Sequence, residues 1–248
     1  MIENGASGGD ILEQKKQGRL YGVGLGPGDP ELLTLKAARL IGGAAVVAYP
    51  ALEGGASFAR SIAADLIPDG CREIVINVPM KVERAPAQAA YDLGALAVAA
   101  ELEAGRDVVV LCEGDPFFYG SFMYLFARLS ARFEVEVVPG VTSVTAAAAR
   151  AGLPLVARNE RLTVLPGPLP EAELRARIEG AESVVIMKLG RHLPKLRAVL
   201  DGLGLADQAT YAERVGLPDE RVCPLSEAPD VAPYFSIILL VKGGDPWL

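Results

Sequence analysis

The chain has 248 residues, room for one large or two modest domains at roughly 150 residues apiece and enough to bury a core. Its 24 Lys and Arg against 31 Asp and Glu give a net charge of −7. That balance excludes a nucleic-acid binder, which needs a basic face to displace counterions, and argues against docking on an anionic membrane. Apolar residues make up 51%, too many for a disordered chain, and the greasiest run, 234–241, has a buried strand's length and not a membrane span's.

The 27 glycines and 18 prolines exceed average usage without any period, so they belong to particular turns. Cys71, Cys112 and Cys223 lie far apart and form no metal-ligand cluster. Their odd number, with no signal peptide, points to a reducing, cytoplasmic setting. Residues 1–18 are polar and glycine-bearing and read as a tail before the fold begins near Arg19.

In chain order, a strand from Arg19 runs into a glycine turn that ends at Asp29-Pro30. A helix over 31–41 follows, with Asp29 as its cap and Pro30 at its first position. A buried strand over 44–49, a helix over 57–66, a strand over 73–78 and an alanine-rich helix over 88–104 come next. A second strand-and-turn unit over 106–116 ends at Asp115-Pro116, from which the aromatic run 117–126 is expected to start a helix. A third, over 133–140, ends at Pro139-Gly140, with Thr142 or Ser143 capping the next helix.

Strands alternating with helices predict βαβ units and a mostly parallel sheet, with the three turns gathered beyond the strands' carboxyl ends. After Pro154 the texture changes. Strands are expected over 162–165, 183–187, 209–213 and 235–242, with helices over 171–178 and 194–201. The reading is an α/β protein of two α/β domains, 19–140 with the mostly parallel sheet and 141–248 with a smaller mixed sheet, and a ligand cleft between them.

The turns are not phosphate loops. A dinucleotide fingerprint from Gly22 needs glycine where Pro27 stands, and one from Gly24 needs it where Asp29 stands. The aspartates at the two helix starts would repel a phosphate. Such turns suit a ligand carrying positive charge or hydroxyls.

The ordered set VGLGPGDPELLTLKA over 23–37, EGDP over 113–116 and VPGVTS over 138–143 resembles the tetrapyrrole methylases, the class III S-adenosylmethionine-dependent methyltransferases. The resemblance covers nearly all of the chain from Arg19 onward. Four later segments, FFYGSFMY over 117–124, VIMKLGR over 185–191, YAERVGLPDER over 211–221 and PYFSIILLV over 233–241, resemble the branch that methylates carbon 20 of precorrin-2 in cobalamin biosynthesis. Residues 117, 118 and 120 fall at variable family positions.

The resemblance implies a cytoplasmic homodimer with a tetrapyrrole substrate, S-adenosyl-L-methionine as co-substrate, no metal, no nucleic acid and no membrane. It places Pro27 in the loop lining the substrate trough and Glu113, Gly114 and Asp115 around the methionine and sulfonium. Thr142 and Ser143 would meet the co-substrate from the third turn, and Met187 would flank the adenosine. Glu213, Val215 and Ser236 mark segments that supply further backbone contacts.

A meso carbon of a reduced tetrapyrrole is an enamine-like nucleophile, so holding it close to the methyl is the main task. A base for the departing proton helps. Glu113, Asp115 and Tyr119 are the catalytic candidates carried forward, while His192 and Glu213 also qualify as bases. Lys81, Lys188 and Arg191 are candidates for the substrate's carboxylate arms, against the plainer reading of solvated surface charge. A sister enzyme acting at another ring position, and a non-catalytic binding module, are the competing readings.

Overall fold

A computed structural model describes residues 16–79 and 83–243. Residues 1–15 of the expected tail over 1–18, and Lys81, lie outside the described residues. Residue 18 is already tied to the fold, its N–H donating to the Leu102 carbonyl at 2.8 Å.

The first sheet has five parallel strands in the order β3-β2-β4-β1-β5, with β1 Leu20–Gly24, β2 Val46–Leu52, β3 Arg72–Val78, β4 Val108–Cys112 and β5 Val135–Val138. Alternation along β4 shows why it is central. Val108, Val110 and Cys112 face one apolar cluster and Val109 and Leu111 another, so both faces are covered. Helices α3 (Arg84–Glu103) and α4 (Phe122–Leu129) cover the first face, and α1 (Leu35–Gly42) and α2 (Phe58–Ile62) the second. Gly22 serves this packing, because a Cβ there would run into the Phe122 ring of α4.

Two expected helix starts differ. Asp29 and Pro30 open a single 3₁₀ turn, Pro30–Leu32, and α1 begins only after Thr34, whose hydroxyl accepts from the Ala37 N–H at 3.1 Å. A hydroxyl cap three residues ahead of a free N–H outcompetes the aspartate upstream. Likewise α4 starts at Phe122 and not after Pro116. Asp115 instead closes a tight turn by accepting from the N–H groups of Phe117 and Phe118 at 2.9 and 3.0 Å.

The second sheet is mixed, in the order β6-β7-β10-β8-β9, with β6 Leu162–Pro166, β7 Ser183–Met187, β8 Ala209–Glu213, β9 Arg221–Pro224 and β10 Ser236–Val241. Only β6 and β7 pair in parallel. The short edge strand β9, ending in a proline, was not expected, and with it this sheet matches the first in strand number. Helices α6 (Glu171–Glu179) and α7 (Leu193–Gly202) bury Leu174, Ile178, Leu196 and Leu200 against one face. Helix α5 (Ser143–Ala151), capped by Thr142, packs Val144, Ala146 and Ala147 on the other, against Val185, Ala212 and Leu239. Arg150 at the end of α5 reaches Glu220 at 3.3 Å and Asp29 of the first turn at 4.0 Å.

Candidate active site

The three glycine turns meet at the carboxyl ends of β1, β4 and β5. Residues 26 and 114 exchange two backbone hydrogen bonds, of 3.2 and 2.8 Å. Gly140 is wedged against both neighbours. A Cβ there would overlap the Gly114 carbonyl oxygen and stand 2.9 Å from the Gly24 Cα, while one on Gly24 would lie 2.6 Å from the Gly140 nitrogen. The second Asp115 oxygen accepts from the Gly140 N–H at 3.1 Å. With its other oxygen held by Phe117 and Phe118, this carboxylate ties the second turn to the third.

Beyond the turns lies a cavity of about 470 Å³ between the two sheets, with mostly apolar walls. Pro27, Glu113, Gly114, Asp115, Tyr119, Thr142 and Ser143 reach it from the first sheet's side and the start of α5, and Met187, Val215 and Ser236 from the second. The second sheet presents one face: Met187, Ala212 and Ile237 line the cavity and continue into the cluster beneath α5.

Glu213 is not brought in. Side chains alternate along β8, so Glu213 shares the face of the fully buried Tyr211, whose hydroxyl donates to its carboxylate. Burial first, and then Glu213, raises the Tyr211 pKa. His192, at the end of a 3₁₀ turn beside α7, does not line the cavity either. Burial, and then Lys195 and Arg191, lower its pKa.

Glu113 stands directly after β4 with no cation beside it. Burial pushes its carboxyl above the ordinary 4.5, against the backbone N–H groups of Glu113 itself and Ala59. Nearby, burial pushes the Tyr91 hydroxyl up to about 12. The cavity's two acids thus differ: Asp115 is fixed by backbone donors, while Glu113 is a buried carboxyl with no cation beside it.

Two contacts cross between the halves at the cavity. Phe58 of α2 meets Phe235 just before β10 with ring centroids 4.7 Å apart. The Lys188 ammonium lies 4.9 Å from the centroid of the Tyr119 ring. Tyr119 and Lys188 both hold left-handed backbone, at φ 57° and 60°, which costs roughly 1–2 kcal/mol per non-glycine residue. Residues outside the expected set also line the cavity, among them Pro50, Leu52, Tyr91 and Tyr234. As ordinary apolar and aromatic residues they carry no signal in the sequence.

Over residues 19–229 the chain matches the family of Tetrapyrrole (Corrin/Porphyrin) Methylases. It is 47% identical over 232 residues to the precorrin-2 C(20)-methyltransferase of Sinorhizobium sp, covering 90% of this chain and 95% of that one. It is 35% identical over 229 residues to the cobalt-precorrin-2 C(20)-methyltransferase of Salmonella typhimurium, covering 91% and 97%. The fold is similar to that of a uroporphyrin-III C-methyltransferase from Thermus thermophilus complexed with S-adenosylhomocysteine, with a TM-score of 0.65, 29% identity and 91% and 92% coverage. The chain belongs to the tetrapyrrole methylase family.

Proposed function

We propose that this chain transfers the methyl group of S-adenosyl-L-methionine to carbon 20 of precorrin-2, or of its cobalt form. The products are precorrin-3A and S-adenosylhomocysteine, within cobalamin biosynthesis. The observation that carries this reading is the near-full-length similarity to the Sinorhizobium enzyme of that activity. The cavity's chemistry agrees with the co-substrate. Apolar walls at Met187, Ala212, Val215 and Ile237 suit an adenine face.

When bound, S-adenosylmethionine supplies a methyl on a positively charged sulfur. The C–S bond breaks as the new C–C bond forms at the ring, and the ring carbon then loses its proton. The chain's part is chiefly positional. The interlocked turns fix Gly114 and Thr142, Asp115 holds those turns in register, and the face of the second sheet closes the other side. Glu113 receives the proton, since burial raises its pKa and so makes it a stronger base than an ordinary carboxylate. Asp115 positions, with three backbone N–H groups donating to its oxygens.

The chain functions as a cytoplasmic homodimer with its domain boundary at the third turn. Exposed Leu93 and Leu96 on α3, 69% and 65% accessible, support a covered face. Three free cysteines suit a reducing compartment. No helix of the described residues is long and apolar enough to cross a membrane. Incubation with methyl-labelled co-substrate and precorrin-2, followed by carbon NMR, tests the activity. Label at carbon 20 is expected, and label at another ring carbon would replace this reading with a sister activity.

A further inference from the structure

Lys188 follows Met187 directly after β7, and among the described residues it is the one cation that lines the cavity. The chain carries 31 carboxylates and a net charge of −7, yet no ion pair forms at this lysine among the described residues. Its ammonium rests instead over the face of Tyr119, a neutral partner contributed by the opposite half of the molecule. Neither carboxylate that lines the cavity forms an ion pair with it among the described residues. Asp115 is instead held by backbone donors.

Both members of the contact sit in left-handed backbone, a conformation that persists where surrounding structure enforces it and that clusters at ligand sites. A cation over an exposed ring is weakly held, and a carboxylate forms a stronger, charge-assisted bond with it. Lys188 is thus kept at the cavity, exposed and paired with no acid among the described residues.

We propose that Lys188 is the specificity residue that receives a carboxylate arm of the tetrapyrrole, with the Tyr119 ring as its resting place between turnovers. This rests on the proposed function, in which the tetrapyrrole meets the co-substrate at this cavity. Arrival of the substrate exchanges ring for carboxylate without moving the backbone of β7. A single cation at a mostly apolar cavity selects ring orientation by fixing one arm. Binding is then more sensitive to salt than the overall negative charge of the protein would suggest.

The test is a charge series, Lys188→Arg, Lys188→Met and Lys188→Glu, read by steady-state kinetics and by two binding measurements that need no turnover. One is calorimetric titration with S-adenosylhomocysteine. The other is fluorescence titration with uroporphyrin, an unreactive tetrapyrrole bearing eight carboxylates. KM for precorrin-2 and Kd for uroporphyrin should rise on the order of tenfold in Lys188→Met. They should rise further in Lys188→Glu and stay within about threefold in Lys188→Arg. The affinity for S-adenosylhomocysteine should stay within twofold throughout.

Unchanged uroporphyrin binding in Lys188→Met overturns the proposal whatever the activity. An equal loss of S-adenosylhomocysteine affinity also overturns it, by placing the lysine on the methionine carboxylate instead. If the wild type binds uroporphyrin in a Lys188-dependent way but does not methylate precorrin-2, the assigned reaction fails and the lysine's role stands.

Discussion

The first sheet meets the cavity with the ends of its strands, and the second meets it with a face. At β1, β4 and β5 the chain must turn sharply while three backbones pass within contact distance, so Gly24 and Gly140 are fixed by each other and by the Gly114 carbonyl. At β7, β8 and β10 the contribution is a wall of side chains, Met187, Ala212 and Ile237, on strands whose pairing would survive a change of any one of them. Half of the site is therefore a backbone construction and half a side-chain surface. The two should fail differently when altered.

The sharpest test is Gly140→Ala. Its Cβ would meet backbone on two sides, with no flexible side chain to swing away. A loss of about 3 kcal/mol or more is expected, a fall in Tm of roughly 6–12 °C for a chain of this size. S-adenosylhomocysteine binding should be lost with it. Thermal melting and calorimetry read both, and a variant that melts like the wild type would dissolve the distinction between the halves.

Met187→Ala is the counterpart on the second sheet. The side chain is only half-buried at the end of β7, so stability should fall by about 1 kcal/mol while the affinity for S-adenosylhomocysteine drops on the order of tenfold. A large loss of stability without a loss of affinity would mean that the face is core and not wall.

Glu113→Gln should have the smallest effect on stability, and its sign is informative. The folded-state pKa lies above the ordinary 4.5, so the wild-type carboxyl is accommodated best below pH 4.5 and less well as pH rises through the folded value. The variant should match the wild type in acid and become the more stable of the two as pH increases, as followed by Tm across a pH series. Its kcat should fall by about a hundredfold with co-substrate affinity unchanged. An unchanged kcat would leave positioning as the whole mechanism.

The backbone half was the legible half. Glycines and Asp-Pro pairs announce turns, and their alternation with strands and helices placed them at one sheet edge. What could not be read was how each turn ends. The sequence pairs Asp115 with Pro116 as if to open a helix, but the carboxylate caps a short turn and reaches to Gly140, a partner 25 residues away. Left-handed Tyr119 and Lys188 carry no local signal, since the conformation is imposed by surroundings and not by residue type. The placing of the Glu213 carboxylate was readable: its two-residue spacing from Tyr211 puts the pair on one face of β8, where the tyrosine hydroxyl donates to it.

The chain passes from one sheet to the other once, between the end of β5 at Val138 and the start of α5 at Ser143. Thr142 and Ser143 of that same passage line the cavity. The covalent join of the two sheets thus runs along the cavity and not at its rim, so a substitution at Thr142 or Ser143 alters the join and the lining together.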